Sequence, residues 1–290
     1  MRVLVTGATG YIGSHVCKLL KEHGHYVEGW DINFWGEHND ISAYCDQFLH
    51  YDVTKQVKGE YDAVVHLAGR SLVGPSVKTP TEYYRVNITG TANLLDCVNT
   101  DHVLFASTSS AWDMASPYAR SKVCAEDVIK EKANGYTIFR FFNVSGTDGQ
   151  NRQLGPPSHL IKIAAMTAAG KFPDIKIYGT DYPTRDGTCI RDYVHVVDLS
   201  KAIVKAVEAG PTNTPYECLG SNQGYSVFEV IRTMEKVTGV RLRKTHAPRR
   251  EGDAVSSVVD DLSDFITLEK TIEDMCLDQY NFERGYNGRR

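Results

Sequence analysis

Two groups of residues have types and spacings suited to chemistry. The first is Thr6-Gly7-Ala8-Thr9-Gly10-Tyr11-Ile12-Gly13. Glycines at 7, 10 and 13 allow a tight turn, close approach of a pyrophosphate to the backbone, and close packing of a helix on a strand. A phosphate there meets the positive N-terminus of the helix. Asp31 closes the next apolar run, where a carboxylate can hold both ribose hydroxyls. Its charge would repel a 2′-phosphate, so the reading is NAD in preference to NADP. The second group is Tyr118-Ala119-Arg120-Ser121-Lys122, a phenol and an ammonium on one helix face. A phenol with an ordinary pKa of about 10 is a poor base near neutrality. A nearby ammonium and a positively charged nicotinamide both favour its phenolate. Such a pair can take a proton from an alcohol while the cofactor takes the hydride. Tyr and Lys at this spacing are also common on solvated helices. Here the pair follows a dinucleotide loop, and the hydroxyl cluster Ser107-Thr108-Ser109-Ser110 ends the preceding strand, where such sheets bind ligands.

Positioning these groups requires strands and helices in alternation. Val3–Thr6, Tyr26–Trp30, Ala63–Leu67, Val103–Ser107 and Thr137–Phe141 are short, β-branched and apolar, as buried parallel strands are. Tyr11–His23, Pro80–Val98 and Ser116–Ala133 carry helical periodicity. Ser116-Pro117 supplies an N-cap and a first-turn proline. Between Trp30 and Tyr61 there is little helix. In the second half, His159–Ala169, Val196–Ala209 and Ser226–Val237 read as helices and Arg241–His246 as a strand. The predicted class is α/β, a Rossmann-type doubly wound parallel sheet with a smaller α/β substrate-binding domain. The expected partition is 1–145 with about 188–208 for the dinucleotide domain, and 146–187 with 209–290 for the other. The Gly288-Arg289-Arg290 ending is expected to be mobile.

The composition narrows the field. The chain has 290 residues, 42% of them hydrophobic, and 32 basic against 36 acidic residues for a net charge of −4. That balance argues against nucleic acid and anionic membrane surfaces as partners. No apolar run is long enough to span a bilayer. Met1-Arg2 leads directly into the first strand, so no secretory signal is expected and the expected location is cytoplasmic. The seven cysteines are scattered and never spaced C-x-x-C, which suits buried free thiols. The ten histidines lack ligand spacing, and no metal is expected.

The glycine loop, Asp52-Val53, His66-Leu67-Ala68-Gly69, Asn87 in Tyr83-Tyr84-Arg85-Val86-Asn87, and the Tyr-x-x-x-Lys pair together resemble extended short-chain dehydrogenases/reductases. Three further segments resemble UDP-glucose 4-epimerases: Tyr178–Thr188, Arg191-Asp192-Tyr193-Val194-His195-Val196-Val197-Asp198, and Ala247-Pro248-Arg249-Arg250-Glu251-Gly252-Asp253. The resemblance runs nearly end to end. It implies that Tyr118 takes the 4′-hydroxyl proton of a UDP-hexose while the C4 hydride passes to NAD. The 4-ketose then rotates and the hydride returns to its other face. It also implies that Thr108 hydrogen-bonds the same oxygen and that Lys122 holds the nicotinamide ribose and lowers the tyrosine pKa. The implied cofactor contacts are Gly7, Gly10, Tyr11, Ile12, Gly13, Asp31, Asp52, Val53, Leu67, Ala68, Gly69, Asn87, Ser107, Tyr118, Lys122 and Phe142. On the substrate side they are Thr108, Tyr118, Asn143, His159, Leu160, Tyr178, Arg191, Tyr193, Arg250 and Asp253, the arginines suiting a diphosphate.

The departures from that pattern are local. Dehydratases on this scaffold place an Asp-Glu pair right after the active-site Thr, whereas Ser109-Ser110 follows Thr108 here, so epimerisation is the preferred reading. Thr108 and Tyr118 are joined by a shortened loop through Ala111-Trp112-Asp113-Met114-Ala115. Ser71 replaces a frequent lysine, and His159 an asparagine. Ser257 stands where a bulky residue is frequent, which would leave room for an N-acetyl group. Other nucleotide-sugar enzymes of the superfamily, including UDP-glucuronate epimerases or decarboxylases and ketoreductases, and a non-catalytic NAD-binding module are the alternatives. Pro80–Val98 and Ser116–Ala133 resemble the helices of a family homodimer; Leu94, Leu95 and Val123 fit either that interface or the core.

Overall fold

A computed structural model of the protein describes residues 1–56, 58–250 and 252–285. Glu251 and the Gly288-Arg289-Arg290 ending lie outside the described residues. The chain forms two compact units, one of Met1–Phe141 with Ser200–Cys218, the other of Phe142–Leu199 with the chain from Leu219 onward.

The first unit is built on a seven-stranded sheet in the order Glu217–Leu219, Tyr136–Phe141, Val103–Thr108, Ala63–His66, Arg2–Thr6, Tyr26–Asp31, Gln47–His50. From Tyr136–Phe141 to Gln47–His50 every neighbour is parallel. The strand order reverses beside Arg2–Thr6, the switch point at which Rossmann-type sheets bind dinucleotides. Val3, Leu4, Val5, Val64, Leu104, Phe105 and Ile138 are all buried, the continuous apolar strand expected when helices cover both faces. The helix Tyr11–Glu22 follows the first strand, and Pro117–Lys132 begins with Ser116 Oγ accepting the Ala119 N–H at 3.1 Å.

The five strands expected here are present to within a residue at each end. The gap after Trp30 contains no helix among the described residues; Gln47–His50 adds an edge strand instead, with Trp30 opposite Leu49. The stretch expected as one helix over Pro80–Val98 is interrupted. It runs as Pro80–Tyr84, a π-helical turn over Arg85–Thr89, then Gly90–Cys97. Val98–Thr100 then becomes a short strand beside Gly59–Tyr61, as its β-branched ends favour. Leu94, for which interface and core were both open, is 4% exposed and packs with Leu4, Trp30 and Val64 in the core.

The second unit has a four-stranded sheet of Asn143–Ser145, Ile190–His195, Gly224–Ser226 and Ser256–Ser257, and a parallel pair of Ile175–Tyr178 with Lys244–Ala247. The helices Leu160–Ala168, Val227–Thr238 and Ile272–Gly285 bury Ile161, Ala165, Val230, Met234, Met275 and Cys276 in one core. Ser226 and Glu229 form a complete capping box, which fixes where the second of these helices begins. All seven cysteines are free, but only Cys17, Cys189, Cys218 and Cys276 are buried and Cys124 is exposed, which corrects the expectation of uniformly buried thiols. No helix among the described residues is long and apolar enough to cross a membrane.

Candidate active site

The glycine loop forms a cradle that side chains would fill. Gly7 has φ +73°, and a Cβ there would lie 2.9 Å from Ala68 N and 3.0 Å from the Leu67 carbonyl carbon. A Cβ on Gly13 would meet Gly7 O at 2.1 Å, so only glycine lets the helix pack on the loop. Gly10 is the N-cap and makes no side-chain cap bond. The first-turn amides around Tyr11, Ile12 and Gly13 therefore have no side-chain cap, which suits an anion. Asn39 braces the loop by donating to Thr9 O and Gly10 O, both at 3.2 Å. The Asp31 carboxylate accepts the Thr9 N–H at 3.0 Å and the Asn33 N–H at 2.9 Å, which fixes it at the rim. A carboxylate oxygen has a second lone pair, so these bonds leave acceptor capacity for ribose hydroxyls. The glycine cradle, the uncapped helix start and the carboxylate fit a dinucleotide.

On the far side of the switch point, Ala68 N donates to Thr6 Oγ1 at 3.2 Å and Leu67 N to Thr6 O at 3.1 Å. His66 lies between Thr6 Oγ1 at 2.8 Å and Thr91 Oγ1 at 3.0 Å. Burial and the Lys122 charge push its pKa down to about 3. Asn87, on the π turn, takes the Arg70 N–H at 2.8 Å and donates to Arg70 O at 3.0 Å and Ser121 Oγ at 2.8 Å. A π turn re-aims side chains in a helix and recurs at functional sites. A Cβ on Gly69 would lie 2.9 Å from Asn87 Oδ1 and 3.5 Å from Lys122 Nζ. Asp52 accepts the Thr54 N–H at 2.9 Å, and buried Val53 abuts Gly90.

Tyr118 and Lys122 share the inward face of Pro117–Lys132. Tyr118 is half-buried, hydrogen-bonds Thr108 and meets the Tyr83 ring edge-on at 6.4 Å between centroids. Lys122 is buried, with Nζ 4.5 Å from the centre of the Phe105 ring. Burial pushes the phenol up to about 12 against the Thr108 hydrogen bond, and pushes the ammonium down to about 8 against the charge of Glu126. For Tyr118 the opposing influences are burial, which raises the phenol, and the Thr108 hydrogen bond, which lowers it. Thr108 Oγ1 also accepts the Ser110 N–H at 3.2 Å, which starts the short 3₁₀ turn Ser109–Ala111. The buried Ser107 hydroxyl is turned to the Glu126 carboxylate.

The second unit holds the other expected residues. Asn143 donates to Asp192 O at 2.8 Å, opposite Tyr193 on the adjacent strand. Arg191 pairs with Asp253 and donates to Ile190 O at 2.7 Å. Ser257 is the register partner of Arg191. Arg250 lies 4.0 Å over the centre of the Tyr178 ring. His159 is the N-cap of Leu160–Ala168 without a side-chain cap bond. Burial and Lys162 push its pKa down to about 4. Phe142 is 6% exposed, its N–H on Leu219 O at 3.1 Å. Tyr193 is 4% exposed and belongs to the apolar core, and desolvation pushes its phenol up. Glu126, Arg140 and Ser121 were not singled out from the sequence. Only Glu126 carried a signal, its position one turn beyond Lys122.

Fold and cradle define a Rossmann-type dinucleotide-binding protein. A sequence model of the NAD dependent epimerase/dehydratase family matches residues 3–218, and the chain belongs to that family. It is 30% identical over 328 aligned positions to a UDP-glucose 4-epimerase of Bacillus subtilis, with 98% of this chain and 97% of that one covered. The crystal structure of UDP-glucose-4-epimerase from Stenotrophomonas maltophila with bound NAD and formylated UDP-arabinopyranose is 30% identical, with a TM-score of 0.86 and 98% of each chain covered. The structure of the UDP-Glc/GlcNAc 4-epimerase from Campylobacter jejuni is 29% identical, with a TM-score of 0.77, covering 97% of this chain and 98% of that one.

Proposed function

We propose that the protein is an NAD-dependent UDP-hexose 4-epimerase. The observation that carries this reading is Tyr118, hydrogen-bonded to Thr108 and one helical turn from the buried Lys122, on the same unit as the glycine cradle, in a chain of this family. Tyr118 takes the proton from the sugar 4-hydroxyl and later returns it. Thr108 hydrogen-bonds the same oxygen and, by lowering the phenol, eases the transfer. NAD, when bound, accepts the C4 hydride and gives it back. Its binding falls to Gly7, Gly10, Gly13, Asp31 and Asn87, and its positive charge favours the phenolate that burial alone disfavours.

In the second unit Asn143, Arg191 and Arg250 are assigned to the diphosphate, with Tyr178 and Asp253 beside them. Arginine forks suit phosphate oxygens, and the existing Arg191–Asp253 pair holds one fork in place before substrate arrives. Ser257, next to Arg191 in register, supports acceptance of N-acetylated UDP-hexoses. The free thiols support a reducing compartment such as the cytoplasm, and a homodimer through Pro80–Cys97 and Pro117–Lys132 belongs to the same reading. Incubation with UDP-galactose or UDP-N-acetylgalactosamine, without added reductant, tests it. Both convert to the gluco epimers with no net change in NADH. Consumption of added NADPH with a keto-sugar supports a reductase instead, and strong selectivity for UDP-galactose removes the role of Ser257.

A further inference from the structure

Glu126 stands four residues beyond Lys122 on Pro117–Lys132, one turn along the same face. Its side chain is 1% exposed. Arg140, on the adjacent strand, clamps it with two bonds, Nε to Oε1 at 3.0 Å and Nη2 to Oε2 at 2.8 Å. Ser107 Oγ donates to the same carboxylate, and Lys130 Nζ lies 3.7 Å away. The Arg140 guanidinium is itself covered by the Tyr216 ring at 3.8 Å and the Trp112 ring at 5.2 Å. A buried ion pair is weak evidence for stability, since packed apolar residues often serve as well.

Lys122 has Tyr118 one turn before it and Glu126 one turn after it on its own helix, is faced by His66 and Phe105 from the sheet, and lies with Asn87 beside Gly69. His66 is neutral there, so it neither repels nor attracts strongly. Desolvation draws the Lys122 ammonium towards its neutral form, and Glu126 is the charge that opposes this. We propose that Glu126 is a positioning residue that keeps Lys122 a cation in its dry site, with Arg140 and Ser107 fixing the carboxylate. The inference rests on Tyr118 and Lys122 being the proton pair.

The test compares full-length, NAD-loaded wild type with Glu126→Gln, Glu126→Asp, the double variant Glu126→Leu/Arg140→Leu, and Lys122→Met. Turnover of UDP-galactose is followed from pH 6 to 10. Gln keeps shape and loses charge, while Asp keeps charge and loses shape. The double variant removes both charges together, the exchange that buried pairs tolerate. In the Gln and Leu/Leu proteins the alkaline limb of kcat moves towards acid by about one unit or more, with KM little changed. In the Asp protein it returns towards wild type. A wild-type limb in either folded variant, or a Gln protein closer to wild type than the Asp protein, overturns the proposal. If neither carboxylate-free protein folds, the residue serves folding and the proposal likewise fails. Full activity in Lys122→Met instead removes the proton-pair reading; an inactive Lys122→Met with an unmoved limb in Glu126→Gln removes Glu126 alone.

Discussion

At the scale of the residue, what matters is which groups burial allows to be charged. Tyr118→Phe removes the proton acceptor and leaves the ring contact with Tyr83, so epimerisation falls by about 10²–10⁴-fold with an unchanged melting temperature; near-normal turnover assigns the proton to another group. Gly7→Ala sets a Cβ 2.9 Å from Ala68 N in a left-handed residue. It costs about 1–2 kcal/mol and lowers the NAD content of the purified protein, as calorimetry and cofactor extraction report. His66 and His102 are buried and held neutral, with pKa values near 3 and 4. Each is depressed below its unfolded value, so its contribution is complete above about pH 6.5 and fades as the pH falls. Stability therefore declines from pH 6.5 to 4 by up to about 1.4 kcal/mol per unit for each histidine. His66→Gln flattens that slope in denaturant titrations, and a slope identical to wild type excludes His66 as a source. These roles were legible unevenly. The Tyr–Lys spacing marked the two residues, but the upward shift of the tyrosine depends on burial, which no local pattern encodes.

At the scale of the element, sequence and structure agree where one local rule dominates. Ser116-Pro117 and the Ser226–Glu229 box mark helix starts, and both helices begin there. Ser226→Ala removes a full box and costs about 1 kcal/mol, read as a lower melting temperature. Elsewhere the long-range partner decides. Val98–Thr100 leaves the helix to pair with Gly59–Tyr61, and Asn87 on the π turn bonds the Arg70 backbone; neither partner is near in sequence. The helix Ile272–Gly285, not expected from the sequence, packs its apolar side against Leu160–Ala168 and Val227–Thr238. The short segment between Thr108 and Tyr118 is anchored by Trp112, whose Nε1 donates to Tyr216 OH at 3.3 Å with the rings edge to face. Trp112→Ala costs about 0.5–1.5 kcal/mol and exposes residues 109–115 to proteolysis. Cleavage no faster than in wild type shows that the loop holds without it.

At the scale of the whole molecule, a chain of 290 residues aligns almost end to end with the B. subtilis enzyme over 328 positions, so gaps are opened in the alignment while the seven-stranded sheet and the glycine cradle remain. The cofactor half was readable because a strand, a glycine loop and an acid follow one another closely in sequence. The candidate substrate residues were readable mainly through resemblance, since strand pairing sets Asn143 and Ser257 beside the strand of Arg191, and an ion pair brings Asp253 to Arg191, across long sequence gaps. The account requires that the C4 hydrogen leave the sugar and return to it without passing through solvent. The direct measurement is conversion of UDP-galactose deuterated at C4, followed by NMR of the products. Full retention of deuterium at C4 of UDP-glucose is the predicted result; its washout into water would contradict the account.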